Sequence, residues 1–128
     1  PLLSGAEQDA MGLKLFDVVA VSTGFMRQHG DIVKTFMAVT DAANRGWKAN
    51  PQAMRRDIAR AAYMDRNSVD AAMRDFRFPS AAEQRSDEWL GGQVAAYSGE
   101  IAEFFVSRGQ LPKSLDSYES VITSRFLP

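Results

Sequence analysis

One carboxylate interrupts an otherwise apolar run: Asp17, within Leu15-Phe16-Asp17-Val18-Val19-Ala20-Val21. A buried charge without a partner is strongly unfavourable, so Asp17 needs either water or a cation. Two readings stand side by side. In one, Asp17 sits at a strand end, facing solvent or capping a neighbouring loop. In the other, it pairs with the ammonium group of a bound ligand.

The remaining candidates carry less chemistry. His29 is the only histidine, and without cysteine or a second histidine it makes no metal site. Its place before a helical segment fits a cap or a surface role. Ser22-Thr23-Gly24 precedes a helical turn and could offer backbone amides to an anion. Trp47 and Trp89 could stack on a ligand, but both fall on apolar helical stripes, which fits core packing. Arg55, Arg56 and Arg60 surround Asp57, the pattern of a solvated helix face. No serine has a histidine placed for a triad, no carboxylate pair stands out for acid–base work, and no glycine pattern forms a phosphate loop. The sequence presents no catalytic set, so a binding protein is expected rather than an enzyme, with no cofactor and no metal.

These residues require positioning elements. Residues 15–21 combine β-branched and aromatic side chains almost without polar interruption, which predicts a strand covered on both faces in an α/β sheet. The rest reads as helix. Residues 6–11 form a short one, stopped by Gly12, and residues 25–28 a single turn. Residues 31–48 make a long amphipathic helix, and Asn50-Pro51 starts the next. Asn67 with Asp70 resembles a capping box, and Ser80 with Glu83 is a cleaner one. The helix from Ser80 is expected to run to Arg108, loosened at Gly91-Gly92 and stopped by Gly109. Between the last two helices, Phe76-Arg77-Phe78-Pro79 reads as extended, pairing as a short strand or tucking two rings under the domain. Tyr118, Val121, Ile122 and Phe126 follow at helical spacing. The expected core includes Ile32, Phe36, Leu90, Val94, Ile101 and Phe105.

Composition narrows the classes. The chain has 128 residues, enough for one domain with a core. Its apolar share of 45% and charged share of 24% are those of a soluble globular protein. A net charge of −1 argues against nucleic acid as a partner and against electrostatic docking on anionic lipid. With no cysteine, disulfides, thiolate metal sites and a cysteine nucleophile are excluded. No apolar run approaches the roughly 20 residues of a membrane span.

The order of short segments then resembles a known family. Met11-Gly12-Leu13-Lys14-Leu15-Phe16-Asp17-Val18-Val19-Ala20-Val21 is similar to the stretch where taurine-binding proteins return from their second lobe to their first. Phe25 and His29 with Ile32-Val33-Lys34-Thr35-Phe36 resemble the family's F…H-P-E-V-V-K-A-F helix entry, with Gly30 in place of the proline. Ala49-Asn50-Pro51 matches the next break. Phe104-Phe105 through Gly109-Gln110-Leu111-Pro112 resembles F-L-x-x-x-G-x-(I/V)-P. Tyr118 with Val121-Ile122-Thr123-Ser124-Arg125-Phe126-Leu127 resembles the C-terminal Y-x-x-Y-V-T-S-R-F. Five segments in order span nearly the whole chain, and only residues 55–77 match loosely.

The resemblance implies the taurine/alkanesulfonate class of periplasmic solute-binding proteins. These have the type II periplasmic-binding fold, two α/β lobes with a ligand cleft between them. The expected fold class is therefore α/β: a C-terminal fragment, mostly helical, with one main crossover strand. Residues 1–14 would end the second lobe and hinge, and residues 15–128 would form the C-terminal part of the first. The resemblance implies an exported, periplasmic protein that delivers taurine or a related sulfonate to an inner-membrane ABC permease. It places Asp17 where taurine binders carry an aspartate facing the ligand amine. Related families take nitrate, aromatic sulfonates or thiamine precursors. The competing expectation is an autonomous helical interaction module that binds no solute. A lone strand also leaves backbone groups unpaired, so a strand-exchanged homodimer of the fragment is a further expectation.

Overall fold

The computed structural model describes residues 3–13, 15–74 and 76–128. Lys14, the end of the expected second-lobe segment, lies outside the described residues, as do Pro1 and Leu2. Among the described residues seven α-helices follow in order: α1 (Gly5–Ala10), α2 (Thr23–Gln28), α3 (Gly30–Ala49), α4 (Pro51–Ala62), α5 (Arg66–Met73), α6 (Ala81–Arg85) and α7 (Gln93–Ser107). A 3-10 turn at Glu119–Val121 closes the series.

Among the described residues there is no strand, which corrects the expected α/β class and its crossover strand. Residues 15–22 are irregular, and their apolar side chains other than Phe16 face solvent, with Leu15 82% and Val18 64% exposed. The physical reason is pairing. β-propensity describes fit to a sheet surface, but a strand exists only when a neighbouring backbone takes its hydrogen bonds. Among the described residues the helical remainder supplies no such neighbour.

Local signals account for most helix ends. Asn50 Oδ1 accepts from Ala53 N–H at 3.0 Å, and Pro51 begins α4 behind it. Ser80 and Glu83 form the reciprocal capping box of α6. Gly109, with φ +71°, ends α7 in the left-handed conformation that glycine adopts without strain. Two boundaries differ from expectation. The cap of α5 is Asp65, whose carboxylate accepts from Ser68 N–H at 3.0 Å, rather than Asn67. The long helix expected from Ser80 to Arg108 is broken by a run of turns between α6 and α7. There Gly91 passes against the Ser86 carbonyl so closely that a Cβ would lie 2.8 Å from its oxygen. The tail from Tyr118 is also largely irregular.

Sequence-adjacent helices pack pairwise, α2 on α3, α3 on α4 and α4 on α5. Met54 of α4 approaches Gly46 of α3 closely enough that a Cβ there would meet its sulfur at 3.3 Å. The tail adds longer links, since the Phe126 ring lies over Gly30 and the Tyr118 ring against Gly99 of α7.

The buried core is small: Val33, Val69, Ala81, Val94, Ala95, Ala102 and Leu127. Of the expected core residues, Val94 is buried and Leu90 half-buried, while Ile32, Phe36, Ile101 and Phe105 are exposed. Helical periodicity identifies an apolar face, but among the described residues no second layer stands opposite these four. The accessible surface is 9663 Å². A compact monomer of this mass exposes about 6,700 Å², so roughly 2,900 Å² of additional surface is open.

Candidate functional site

Phe16 fastens the segment that carries Asp17. Its half-buried ring meets Tyr97 of α7 at 5.8 Å between centroids. Asp17 next to it is exposed, as are Val18, Val19 and Ala20. No hydrogen bond or ion pair among the described residues involves Asp17. Here the carboxylate is solvated, and the apolar residues around it are solvated with it.

The other sequence candidates are dispersed. Ser22 caps α2, its Oγ accepting from Phe25 N–H at 3.2 Å, so this turn serves a helix of six residues. His29 links α2 to α3: its N–H donates to the Phe25 carbonyl, and its own carbonyl accepts from Val33 N–H. Its ring lies 4.8 Å from that of Phe25. Among the described residues no three His, Asp or Glu side chains converge as a metal-holding group.

Trp47 packs against Phe78 at 4.9 Å, with the Arg55 guanidinium 5.2 Å from its ring centre. Arg55 also pairs with Asp70 of α5 at 3.0 Å, joining α4 to α5. Trp47, Phe76, Phe78 and Pro79 border a shallow cleft of about 210 Å³, with Lys48 and Glu83 on its rim. A second hollow of about 260 Å³ lies between the Gly92–Gly99 side of α7 and residues 115–119. Both fall below the roughly 300 Å³ at which small-molecule pockets begin.

The most developed polar arrangement was not legible in the sequence. Asp41 of α3 is only 2% exposed. Its Oδ1 accepts from Ala81 N–H at 3.0 Å, at the start of α6, and its Oδ2 meets the Arg45 guanidinium. Two further α3 side chains engage the same stretch. Asn44 Nδ2 donates to the Pro79 carbonyl at 2.9 Å, and Lys48 Nζ donates to Glu83 Oε2 at 2.7 Å. Glu83 Oε2 also accepts from Ser80 N–H at 2.6 Å and Ser80 Oγ at 2.7 Å. The bonds from Lys48 and Ser80 hold the Glu83 carboxyl down at about 2. Asp41, Asn44 and Lys48 recur at steps of three and four, so one face of α3 clamps residues 79–83. An aspartate inside a long amphipathic helix ordinarily reads as solvated, and nothing in its spacing marks it as buried.

The chain matches no family model, no curated protein and no solved structure in comparisons with known proteins. No helix among the described residues is long and apolar enough to cross a membrane.

Proposed function

We propose that this chain is the helical C-terminal part of an exported solute-binding component of an ABC importer, with taurine or a related sulfonate as its solute. In this reading Asp17 pairs with the ligand ammonium, and other polypeptide supplies the sulfonate-binding groups. The inner-membrane permease is the partner, and no reaction is catalysed. Support comes from the five family-like segments in order and, above all, from one observation: Asp17 stands in an exposed apolar segment. In this reading the carboxylate, flanked in sequence by exposed Leu15, Val18 and Val19, is one half of a cation site. Covering it would withdraw the charge from water and make an ammonium partner favourable.

The test uses the complete binding protein that carries this sequence. Asp17→Asn keeps the shape and removes the charge. A hydrogen bond to a charged group contributes about 1.5–3 kcal/mol, so taurine affinity falls by roughly one to two decades. Affinity for ethanesulfonate, which has no amine, changes far less. Titration calorimetry with both ligands decides the matter, and equal losses for the two would reject the assignment of Asp17. The 128-residue chain alone binds neither ligand measurably.

A second reading, a helical interaction module that binds no solute, draws on a different observation. The outer face of α3 is apolar and uncovered.

A further inference from the structure

Helix α6 is five residues long, and only Ala81 of it is buried. Isolated helices shorter than roughly 12 residues are marginal in water, so α6 depends on what holds it from outside. Two distant parts of the chain do so. From α3, Asp41 Oδ1 accepts from Ala81 N–H at 3.0 Å, and Lys48 Nζ donates to Glu83 Oε2 at 2.7 Å. From the tail, the carbonyls of Leu127 and Pro128 accept from the Arg85 guanidinium at 2.8 and 2.7 Å. Leu127 is buried, and the Phe126 ring beside it lies over Gly30, the first residue of α3. The helix in turn fixes the residues before it. Gln84 Nε2 donates to the Pro79 carbonyl at 3.0 Å, and the neighbouring Phe78 ring packs on Trp47 at 4.9 Å. A continuous set of contacts therefore runs from the tail, through α6, to the cleft that Trp47 and Phe78 border.

We propose that residues 126–128 are a clasp that acts on this cleft through α6. With the clasp closed, α6 is docked and Phe78 is held against Trp47. With the clasp released, α6 loosens and Phe78 loosens with it. The two-state element is α6, docked or undocked, and both α3 and the tail bias it. Polar side chains rather than apolar packing hold it, and a segment held in that way opens more readily than a packed core. The coupling is also reciprocal: loosening α6 from the α3 side loosens the tail. Asp17 and its segment take no part, so the device stands whether or not the chain binds a solute.

Two readouts on the 128-residue chain test it. One is amide hydrogen exchange. The other is acrylamide quenching of Trp47 in a Trp89→Phe background, which leaves a single tryptophan. Arg85→Ala raises exchange across residues 80–86 and 123–127 by roughly tenfold, the scale of one charged hydrogen bond. It also raises the quenching of Trp47 and leaves exchange in α4 unchanged. Asp41→Ala raises exchange at the Leu127 amide, although its own bonds are to Ala81 and Arg45. Lys113→Ala, at an exposed residue outside these contacts, changes neither readout. Should Arg85→Ala fail to fold, Arg85→Lys keeps the charge, loses the second bond and gives the same pattern in smaller measure. An Arg85 variant whose tail exchanges faster while α6 and Trp47 stay unchanged overturns the proposal, because α3 alone then holds α6. So does a tail that is itself unchanged, and so does an equal rise in every helix, which would mean a general loss of stability.

Discussion

Asp41 shows how one side chain can fasten two distant parts of a chain. It sits in the first half of the sequence and holds the first backbone amide of α6, forty residues on. Its buried position is tolerable because Oδ1 takes the Ala81 amide and Oδ2 meets Arg45. Asp41→Ala leaves that amide unpaired and should lower unfolding stability by about 1–3 kcal/mol. Asp41→Asn keeps an acceptor and should cost clearly less. Urea denaturation of the two variants separates the cases, and equal losses would mean that packing alone accounts for the site. The sequence marked Asp17 because a carboxylate in an apolar run is conspicuous. It left Asp41 unmarked because burial there depends on residues 79–83, which no local pattern connects to α3.

At the scale of elements, the helix-end chemistry was readable and the pairing was not. Asn50-Pro51, the Ser80/Glu83 box and Gly109 all act within a few residues of themselves, and all appear where their local chemistry puts them. The strand expected at residues 15–21 and a layer opposite Ile101 and Phe105 would require distant polypeptide, and periodicity carries no information about distance. The α6 box also has a pH signature. Glu83 ionises at about 2 when folded, against an ordinary value of 4.5. A depressed folded value means that its stabilising contribution is complete above about 4.5 and is lost as pH falls from there toward 2. Ser80→Ala removes the cap and should cost about 1 kcal/mol at neutral pH. Lys48→Met should flatten the acid limb of the stability profile between those two values. Thermal melts from pH 6 to pH 2 measure both, and an unchanged acid limb would show that Lys48 does not set the Glu83 ionisation.

For the whole molecule, the small core and the large open surface imply uneven stability. Segments with exposed backbone and few apolar contacts open most easily. Amide hydrogens of residues 15–21 should exchange at rates near those of an unstructured peptide. The interiors of α3 and α7, which carry Val33, Val94, Ala95 and Ala102, should be the most protected. Hydrogen exchange read by mass spectrometry on the unliganded chain tests this, and protection across residues 15–21 would contradict the exposed, irregular conformation described for them.

The tail carries a consequence for the order of events during synthesis. Arg85 donates to the carbonyls of Leu127 and Pro128 at 2.8 and 2.7 Å, Leu127 is buried, and Phe126 covers Gly30 at the start of α3. The helices α3 to α5 leave the ribosome before the tail and can form as they emerge, because each packs on a near neighbour in sequence. The joint between the head of α3, α6 and the last residues must wait until residues 126–128 are free. A nascent chain halted before that point holds its helices with Arg85 unengaged and Gly30 uncovered. Closure of this joint therefore comes later than the pairing of the earlier helices.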